Sequence, residues 1–192
     1  MIAIIKYNAG NSTSVKNALQ RLGYAATITD NPEVIRNAEK VIFPGVGEAS
    51  SAMRYLKERQ LDTLITSLEQ PVLGVCLGLQ LLCKYSEEGN TPCLGIFNSE
   101  VKRFPQKAIV PHMGWNNFHA LDGTLTTGIQ VQDSVYYVHS YYATVSEDTQ
   151  SSCDYIVPFS STLEKNNFYA SQFHPEKSGT IGAQILQNFL AL

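Results

Sequence analysis

A cysteine between two glycines is the residue of this chain whose setting most favours chemistry. Residues 74–78 read Gly-Val-Cys-Leu-Gly, between an apolar segment at 71–75 and another at 77–83. This is the cysteine form of the G-x-S-x-G strand-to-helix turn, in which glycines remove Cβ atoms that would collide. The start of a helix also favours a thiolate. Because free cysteines are often inert core residues, a nucleophilic Cys76 requires a base elsewhere in the chain.

His174 is the candidate base, because a carboxylate lies two residues further on. The segment Gln172-Phe-His-Pro-Glu176 ends a predicted strand, in which residues two apart face the same way. Glu176 would then orient the imidazole and stabilise its charged form, while the other ring nitrogen accepts the thiol proton. A surface His–Glu pair in a loop remains the alternative. Together the three residues predict nucleophilic catalysis by a thiol with a histidine base.

Composition favours a folded enzyme of one domain, residues 1–192. Hydrophobic residues make up 44% and charged residues 16%, and a net charge of −3 argues against nucleic acid as a partner. No apolar run is long enough for a membrane span, and the first ten residues become polar too early for a secretory signal. Four cysteines, at 76, 83, 93 and 153, form no C-x-x-C pair. We therefore expect no metal, no cofactor and a reducing cytoplasm.

Strands and helices are predicted to alternate in the first half of the chain. Apolar runs at 2–7, 25–29, 41–43 and 72–75 are separated by helical spacing at 15–22, after Pro32 and at 52–59. This order predicts an α/β, doubly wound fold whose largely parallel central sheet carries helices on both faces. Ligands in such sheets lie beyond the carboxyl ends of the strands, where the loops after strands one, three and four meet.

The second half is rich in β-strand patterns. Segments 95–104, 134–145, 154–159 and 167–173 predict antiparallel strands that extend the central sheet, and a final helix is predicted from Ser178.

The motifs together resemble a known enzyme class. Cys76 in GVCLGLQLL, with His174 and Glu176 in HPE, resembles the class I (triad) glutamine amidotransferases. The stretches FPGVGE at 43–48, VPHMGWN at 110–116, YYVHSYYA at 136–143 and FHPEKSG at 173–179 are similar to one family within it, the glutaminase subunits of imidazole glycerol phosphate synthase in histidine biosynthesis. The first loop departs from that family, because it reads NAGN where more glycine is expected.

The resemblance implies that Cys76 attacks the side-chain amide of L-glutamine and releases ammonia. Two backbone N–H groups could stabilise the oxyanion, those of Leu77 and of Val46 in residues 44–47, the switch segment Pro-Gly-Val-Gly. Gly45 would allow the Gly45–Val46 peptide to turn toward or away from the site, which predicts slow hydrolysis by the chain alone. By resemblance, the substrate's amino-acid end would be held by four residues: Gly47, Gln80, Ser140 and Tyr141.

The resemblance also implies a partner, since free ammonia would be protonated in water. In the family this partner is a (β/α)8-barrel cyclase subunit, which forms a heterodimer with the glutaminase. Trp115, Tyr136 and Lys177 are the candidate interface residues, because aromatic and long basic side chains are frequent at interfaces. Core packing of Trp115 and an ordinary sheet position for Tyr136 are the alternatives.

Three other functions stay open at this point. The chain could supply ammonia to another synthase, of pyridoxal phosphate, anthranilate or aminodeoxychorismate type, although PHMGWN and VHSYY argue against this. It could be a stand-alone hydrolase of γ-glutamyl compounds with the same fold. It could also be a catalytically silent regulatory homologue, but no member of the triad is missing.

Overall fold

The first half of the chain forms four short parallel strands and five helices. A computed structural model describes residues 1–192. The strands are β1 (Ile2–Ile5), β2 (Ala26–Thr29), β3 (Lys40–Phe43) and β4 (Val72–Val75). The helices are α1 (Ser12–Arg21), α2 (Pro32–Arg36), α3 (Ala49–Glu58), α4 (Leu61–Thr66) and α5 (Leu77–Leu82).

The second half contains nine strands and the final helix. The strands are β5 (Tyr85–Ser86), β6 (Thr91–Pro92), β7 (Glu100–Arg103), β8 (His112–Asn117), β9 (Ser134–His139), β10 (Tyr141–Ala143), β11 (Thr149–Tyr155), β12 (Val157–Lys165) and β13 (Phe168–Ser171). Helix α6 spans Gly179–Leu190, and two 3-10 helices lie at Thr124–Thr126 and Pro175–Lys177.

Seven strands form the central sheet, in the order β11-β12-β13-β4-β3-β1-β2. Every pairing from β13 to β2 is parallel, and β12 pairs antiparallel with both β11 and β13. Strands β1 and β4 are buried along their whole length, as expected where helices cover both faces of a parallel sheet. Successive residues of β1 face opposite layers: Ala3 and Ile5 pack toward α3, α4 and α5, and Ile2 and Ile4 toward α1 and α6.

The predicted fold class is confirmed, but several predictions for the second half were wrong. Segment 134–145 is not one strand, because it divides at Ser140 between β9, which pairs with β8, and β10, which pairs with β7. Segment 154–159 divides at Ile156, whose φ of 63° turns the chain between β11 and β12. Strands β5, β6, β7 and β10 form a sheet of their own, as do β8 and β9. Only β11, β12 and β13 extend the central sheet, and β13 does so parallel to β4, not antiparallel as predicted.

Besides the two-residue strands β5 and β6 and the two 3-10 helices, strand β8 and helix α4 escaped sequence-based prediction. Strand β8 contains Gly114 and two asparagines, which have low strand propensity, and is held by its pairing with β9.

No helix in the structure has both the length and the apolar character needed to cross a membrane.

Candidate active site

Four parallel strands end at one edge of the central sheet and bring the predicted site residues together. Strands β3 and β13 flank β4, with Phe43 opposite Gly74 and Ser171 opposite Val75. The chain therefore leaves the sheet at this edge in four places: after β1, before α3, at Cys76 and before the 3-10 helix Pro175–Lys177. The loops after strands one, three and four lie where the sequence predicts them.

Cys76 lies in a sharp turn between β4 and α5. Its backbone has φ 54° and ψ −106°, outside the regions that most residues occupy. A Cβ at Gly74 would lie 2.7 Å from a Leu82 methyl, and one at Gly78 would lie 1.9 Å from the carbonyl oxygen of Phe43. The prediction that both glycines are needed for steric reasons is confirmed.

His174 and Glu176 form a buried pair. The Nδ1 atom of His174 lies 2.8 Å from Glu176 Oε1, and neither side chain is accessible to solvent. The predicted reason for their contact was wrong, because β13 ends at Ser171 and Glu176 lies in the 3-10 helix that follows His174. Asn11, in the loop after β1, donates a hydrogen bond to the same oxygen of Glu176. Sequence reasoning missed Asn11, which belongs to a distant part of the chain.

The second nitrogen of His174 is left free for chemistry. His174 Nε2 is buried and makes no hydrogen bond. Burial disfavours the charged imidazolium, but Cys76 and Glu176 outweigh this effect and raise the pKa of His174 to about 10. The sulfur of Cys76 and the carboxyl group of Glu176 thus both favour a proton on the ring.

A buried pair of glutamines connects Cys76 to the start of β10. Gln172 Nε2 donates to the sulfur of Cys76 at 3.7 Å, and Gln80 Nε2 donates both to Gln172 Oε1 at 3.0 Å and to the carbonyl of Tyr141 at 2.9 Å. Both hydrogens of the Gln80 amide are therefore committed to the protein, and only Oε1 could face a ligand. Gln172 was not predicted, although it stands two residues before His174.

Two buried histidines fix the other side of the Tyr141 carbonyl. His139 Nδ1 lies 2.8 Å from this oxygen, and His112 Nδ1 lies 3.0 Å from His139 Nε2. Burial lowers the pKa of His139 to about 3 and that of His112 to about 4, so both rings are neutral at pH 7. His139 then donates from Nδ1 to Tyr141, and His112 donates to His139. Neither histidine was singled out from the sequence.

A cavity of about 290 Å³ opens beside Cys76. Seven of the predicted site residues line it: Val46, Gly47, Cys76, Leu77, Gln80, Ser140 and Tyr141. Gly45, His174 and Glu176 are not among the lining residues. Four further residues complete the wall, Glu88, Pro111, Val138 and His139, none of which was predicted.

Glu88 is the only acidic residue that lines this cavity. Its Oε2 accepts a hydrogen bond from the N–H of Ala49, at the start of α3, at 2.8 Å. Partial burial raises the pKa of Glu88, with the nearby Glu48 acting in the same direction. A half-buried carboxylate at this place suits a cationic group of a ligand.

One predicted oxyanion donor is occupied in this structure. The N–H of Leu77 donates to the carbonyl oxygen of Gly45 at 3.2 Å, so the Gly45–Val46 peptide directs its carbonyl toward the residue that follows Cys76. The carbonyl of Val46 accepts from the N–H of Gly10 at 3.3 Å. In this orientation the switch segment presents an acceptor where an oxyanion would need donors.

The three predicted interface residues lie at the surface or half-buried. Trp115 is 59% exposed, so the alternative of core packing was wrong for it. Its ring meets that of Tyr136, directly opposite on β9, edge to face at 6.0 Å. Lys177 is exposed beside Glu176.

Comparison with known proteins gives matches over the whole chain. The profile of the family "Glutamine amidotransferase class-I" matches residues 3–192. The imidazole glycerol phosphate synthase subunit HisH of Bacteroides fragilis is 58% identical over 194 residues, covering 100% of this chain and 99% of that protein. The subunits with the same name from Pasteurella multocida and Vibrio cholerae are 48% and 43% identical and cover 98% and 100% of this chain, and 96% and 98% of those proteins.

Solved structures with low sequence identity share the fold. PurLQS from Thermotoga maritima has a TM-score of 0.74 at 14% identity, covering 99% of this chain and 97% of that chain. A glutamine amidotransferase from Thermotoga maritima has a TM-score of 0.65 at 17% identity, covering 99% of this chain and 82% of that chain.

Proposed function

The chain belongs to the class-I glutamine amidotransferase family, and on that premise we infer that it is the glutaminase subunit of an imidazole glycerol phosphate synthase in histidine biosynthesis. Full-length relatives at 43–58% identity support the assignment. The observation that carries it is the buried His174–Glu176 pair, whose free ring nitrogen is coupled to Cys76 at the wall of the cavity.

The proposed reaction is hydrolysis of L-glutamine to glutamate and ammonia. The sulfur of Cys76 bonds to the side-chain carbonyl carbon while the carbon–nitrogen bond breaks, and His174 passes a proton to the departing ammonia. Water, deprotonated by His174, then cleaves the glutamyl thioester and restores the thiol. Glu176 holds the charge on the imidazole, and the N–H groups of Leu77 and Val46 serve the oxyanion when the Gly45–Val46 peptide has turned.

The amino-acid end of glutamine is proposed to bind at the side of the cavity formed by Gly47, Ser140, Tyr141 and Glu88. Gln80 and His139 both hold the Tyr141 carbonyl, which keeps the 140–141 backbone in place. The Glu88 carboxylate is suited to the α-ammonium group, because opposite charges attract strongly where water is partly excluded.

Glu88→Gln is expected to raise the KM for glutamine by about 10- to 100-fold with little change in kcat, because a charge-assisted hydrogen bond to bound substrate is lost. Steady-state glutaminase assays measure both constants. Glu87→Gln is the matched control, since Glu87 is exposed and accepts from the N–H of Arg103 outside the cavity. An unchanged KM in Glu88→Gln would remove Glu88 from substrate binding.

Glu176→Gln is expected to lower kcat by about 100- to 10,000-fold, since an amide cannot stabilise the imidazolium. His174→Ala should lose more, because the base itself is gone. Steady-state glutaminase assays on both variants show which of them loses more kcat. Activity of Glu176→Gln equal to that of the parent would exclude Glu176 from the mechanism.

Glu176→Gln is also expected to change how the free energy of unfolding depends on pH. The pKa of His174 rises from 6.5 to about 10 on folding, so the stability it contributes is complete below pH 6.5 and lost as pH rises through 10. The difference in unfolding free energy between parent and Glu176→Gln should therefore be larger at pH 6 than at pH 10. Urea unfolding at both values measures it, and an equal difference would contradict a proton shared with Glu176.

The proposed partner is a (β/α)8-barrel cyclase subunit that binds over the cavity as one half of a heterodimer. Met113 and Trp115 on β8 are 63% and 59% exposed, and Met113 lies opposite Val138 of the cavity wall. Exposed apolar side chains beside an ammonia-producing site suit a docking surface, and Lys177 is an exposed cation in the 3-10 helix that follows His174. Residues 1–192 are proposed to act as one domain in the cytoplasm, with the family match over 3–192 as support for the domain.

Co-purification tests the partner and separates the main alternatives. A tagged form of this chain should capture the cyclase subunit of the same organism in a 1:1 complex. Capture of a pyridoxal phosphate or anthranilate synthase subunit instead would favour another ammonia-using pathway. A monomer with full turnover of γ-glutamyl substrates would favour the stand-alone hydrolase.

A further inference from the structure

Tyr7 is a buried phenol beside the active site to which the proposed mechanism gives no role. It lies two residues after β1 and is 7% exposed, with its ring 5.2 Å from that of Phe43. Its hydroxyl donates to the carbonyl oxygen of Pro44, the first residue of the switch segment, at 2.7 Å. Burial, with Cys76 as a second cause, raises the pKa of Tyr7 well above its usual value, so the hydroxyl keeps its proton at every pH of interest.

The bond from Tyr7 is one of three that hold consecutive carbonyl groups. Pro44 accepts from Tyr7 at 2.7 Å, Gly45 from the N–H of Leu77 at 3.2 Å and Val46 from the N–H of Gly10 at 3.3 Å. The middle bond breaks when the Gly45–Val46 peptide turns. The outer two hold the planes on either side of that peptide in the positions they have while the Gly45 carbonyl meets Leu77, so a turn that displaces these planes costs hydrogen-bond energy.

The Tyr7 hydroxyl also lies against Gly45, the residue at which the Gly45–Val46 peptide would rotate. A Cβ atom built on Gly45 would lie 2.0 Å from Tyr7 Oη and 3.1 Å from Leu77 Cβ. The hydroxyl therefore fills the space that a side chain at position 45 would occupy, with Leu77 next to it. Movement of the Gly45 backbone toward that side is opposed by Tyr7.

We propose that Tyr7 is a positioning residue that stabilises the resting orientation of the switch segment, in which the Gly45 carbonyl occupies the N–H of Leu77. The proposal rests on the glutaminase function inferred above and adds to it the residue that keeps the unstimulated enzyme slow. A hydrogen bond of this kind contributes about 0.5–1.5 kcal/mol, which corresponds to a shift of about 2- to 10-fold between the two orientations.

Tyr7→Phe tests the proposal through kinetics. The kcat for glutamine without the cyclase should rise by about 2- to 10-fold, while KM and the fully stimulated kcat stay as in the parent. Activation by the partner should therefore fall by the same factor. Tyr137→Phe is the matched control, since Tyr137 is a buried phenol whose hydroxyl pairs with Ser161 and does not touch the switch segment. An unstimulated kcat in Tyr7→Phe that is unchanged or lower would overturn the proposal.

Amide hydrogen exchange supplies a readout that does not depend on the reaction. The N–H of Leu77 is released whenever the Gly45 carbonyl turns away, so its exchange should be about 2- to 10-fold faster in Tyr7→Phe and unchanged in Tyr137→Phe. Equal exchange in parent and Tyr7→Phe would overturn the proposal whatever the kinetics show. A parent that fails to hydrolyse glutamine even with the cyclase would refute the glutaminase function instead, and the exchange rates would still decide the role of Tyr7.

Discussion

Cys76→Ala is expected to abolish glutamine hydrolysis, with a loss of kcat above about 10,000-fold, because alanine has no atom that can form the thioester. The fold should survive, since the side chain shrinks by one atom and the backbone at this position is held by Gly74 and Gly78. Synthesis by the complex from added ammonium salts should continue, because the cyclase then no longer needs the glutaminase. Steady-state assays with each nitrogen donor measure both outcomes.

Cys83→Ala is the matched control for this substitution. Cys83 is equally buried, lies at the other end of α5 and donates weakly to the carbonyl of Leu79. It should retain glutaminase activity and lose only some stability through the small cavity that the change leaves. Parent-like hydrolysis by Cys76→Ala would show that another group is the nucleophile.

Addition of the cyclase subunit with its nucleotide substrate is expected to raise the turnover number for glutamine by about 100- to 1,000-fold. In this structure the carbonyl of Gly45 takes the N–H of Leu77, and loss of even one oxyanion donor costs about that factor in acyl-transfer enzymes. A turn of the Gly45–Val46 peptide would restore the donors. Because the gain lies in the transition state, KM should change less than kcat.

Three assays separate this mechanism from simple stabilisation by the partner. Glutaminase kinetics are measured for the chain alone, with the cyclase, and with the cyclase and its ligand. A population shift between two peptide orientations predicts stepwise increases in kcat across the three conditions. Full-rate hydrolysis by the isolated chain, indifferent to partner and ligand, would contradict the resting orientation as a brake and favour a stand-alone hydrolase.

Local patterns in the sequence were sufficient for the parallel half of the fold. Alternation of apolar runs with helical spacing determines the order of strands and helices up to α5 except for α4, and the run at 72–75 was predicted with its observed bounds. The turn at Cys76 was equally readable, because the glycines that permit it are its near neighbours. Such patterns reflect interactions between residues that are close in sequence.

Pairing between distant segments set the limits of sequence-based prediction in the second half. Residues 134–145 carry one continuous β pattern, but β9 and β10 join different sheets because their partners, β8 and β7, come from different parts of the chain. Strand β8 has little strand propensity of its own and is stabilised by its pairing with β9. Strand partners are chosen by tertiary packing, which the local pattern does not contain.

The residues of the site likewise fall into those that the sequence predicts and those that only the fold brings together. The sequence by itself determined the proposed nucleophile, its turn and the closeness of His174 and Glu176 along the chain, since these depend on neighbours in the chain. Only the tertiary structure decided that Asn11 holds Glu176, that Gln172 reaches Cys76, that Glu88 faces the cavity and that Tyr7 holds Pro44. The partners in the first two and the last of these contacts are between 37 and 165 residues apart. The physical reason is that parallel strands bring their carboxyl ends to one edge of the sheet, where segments far apart in the chain become neighbours.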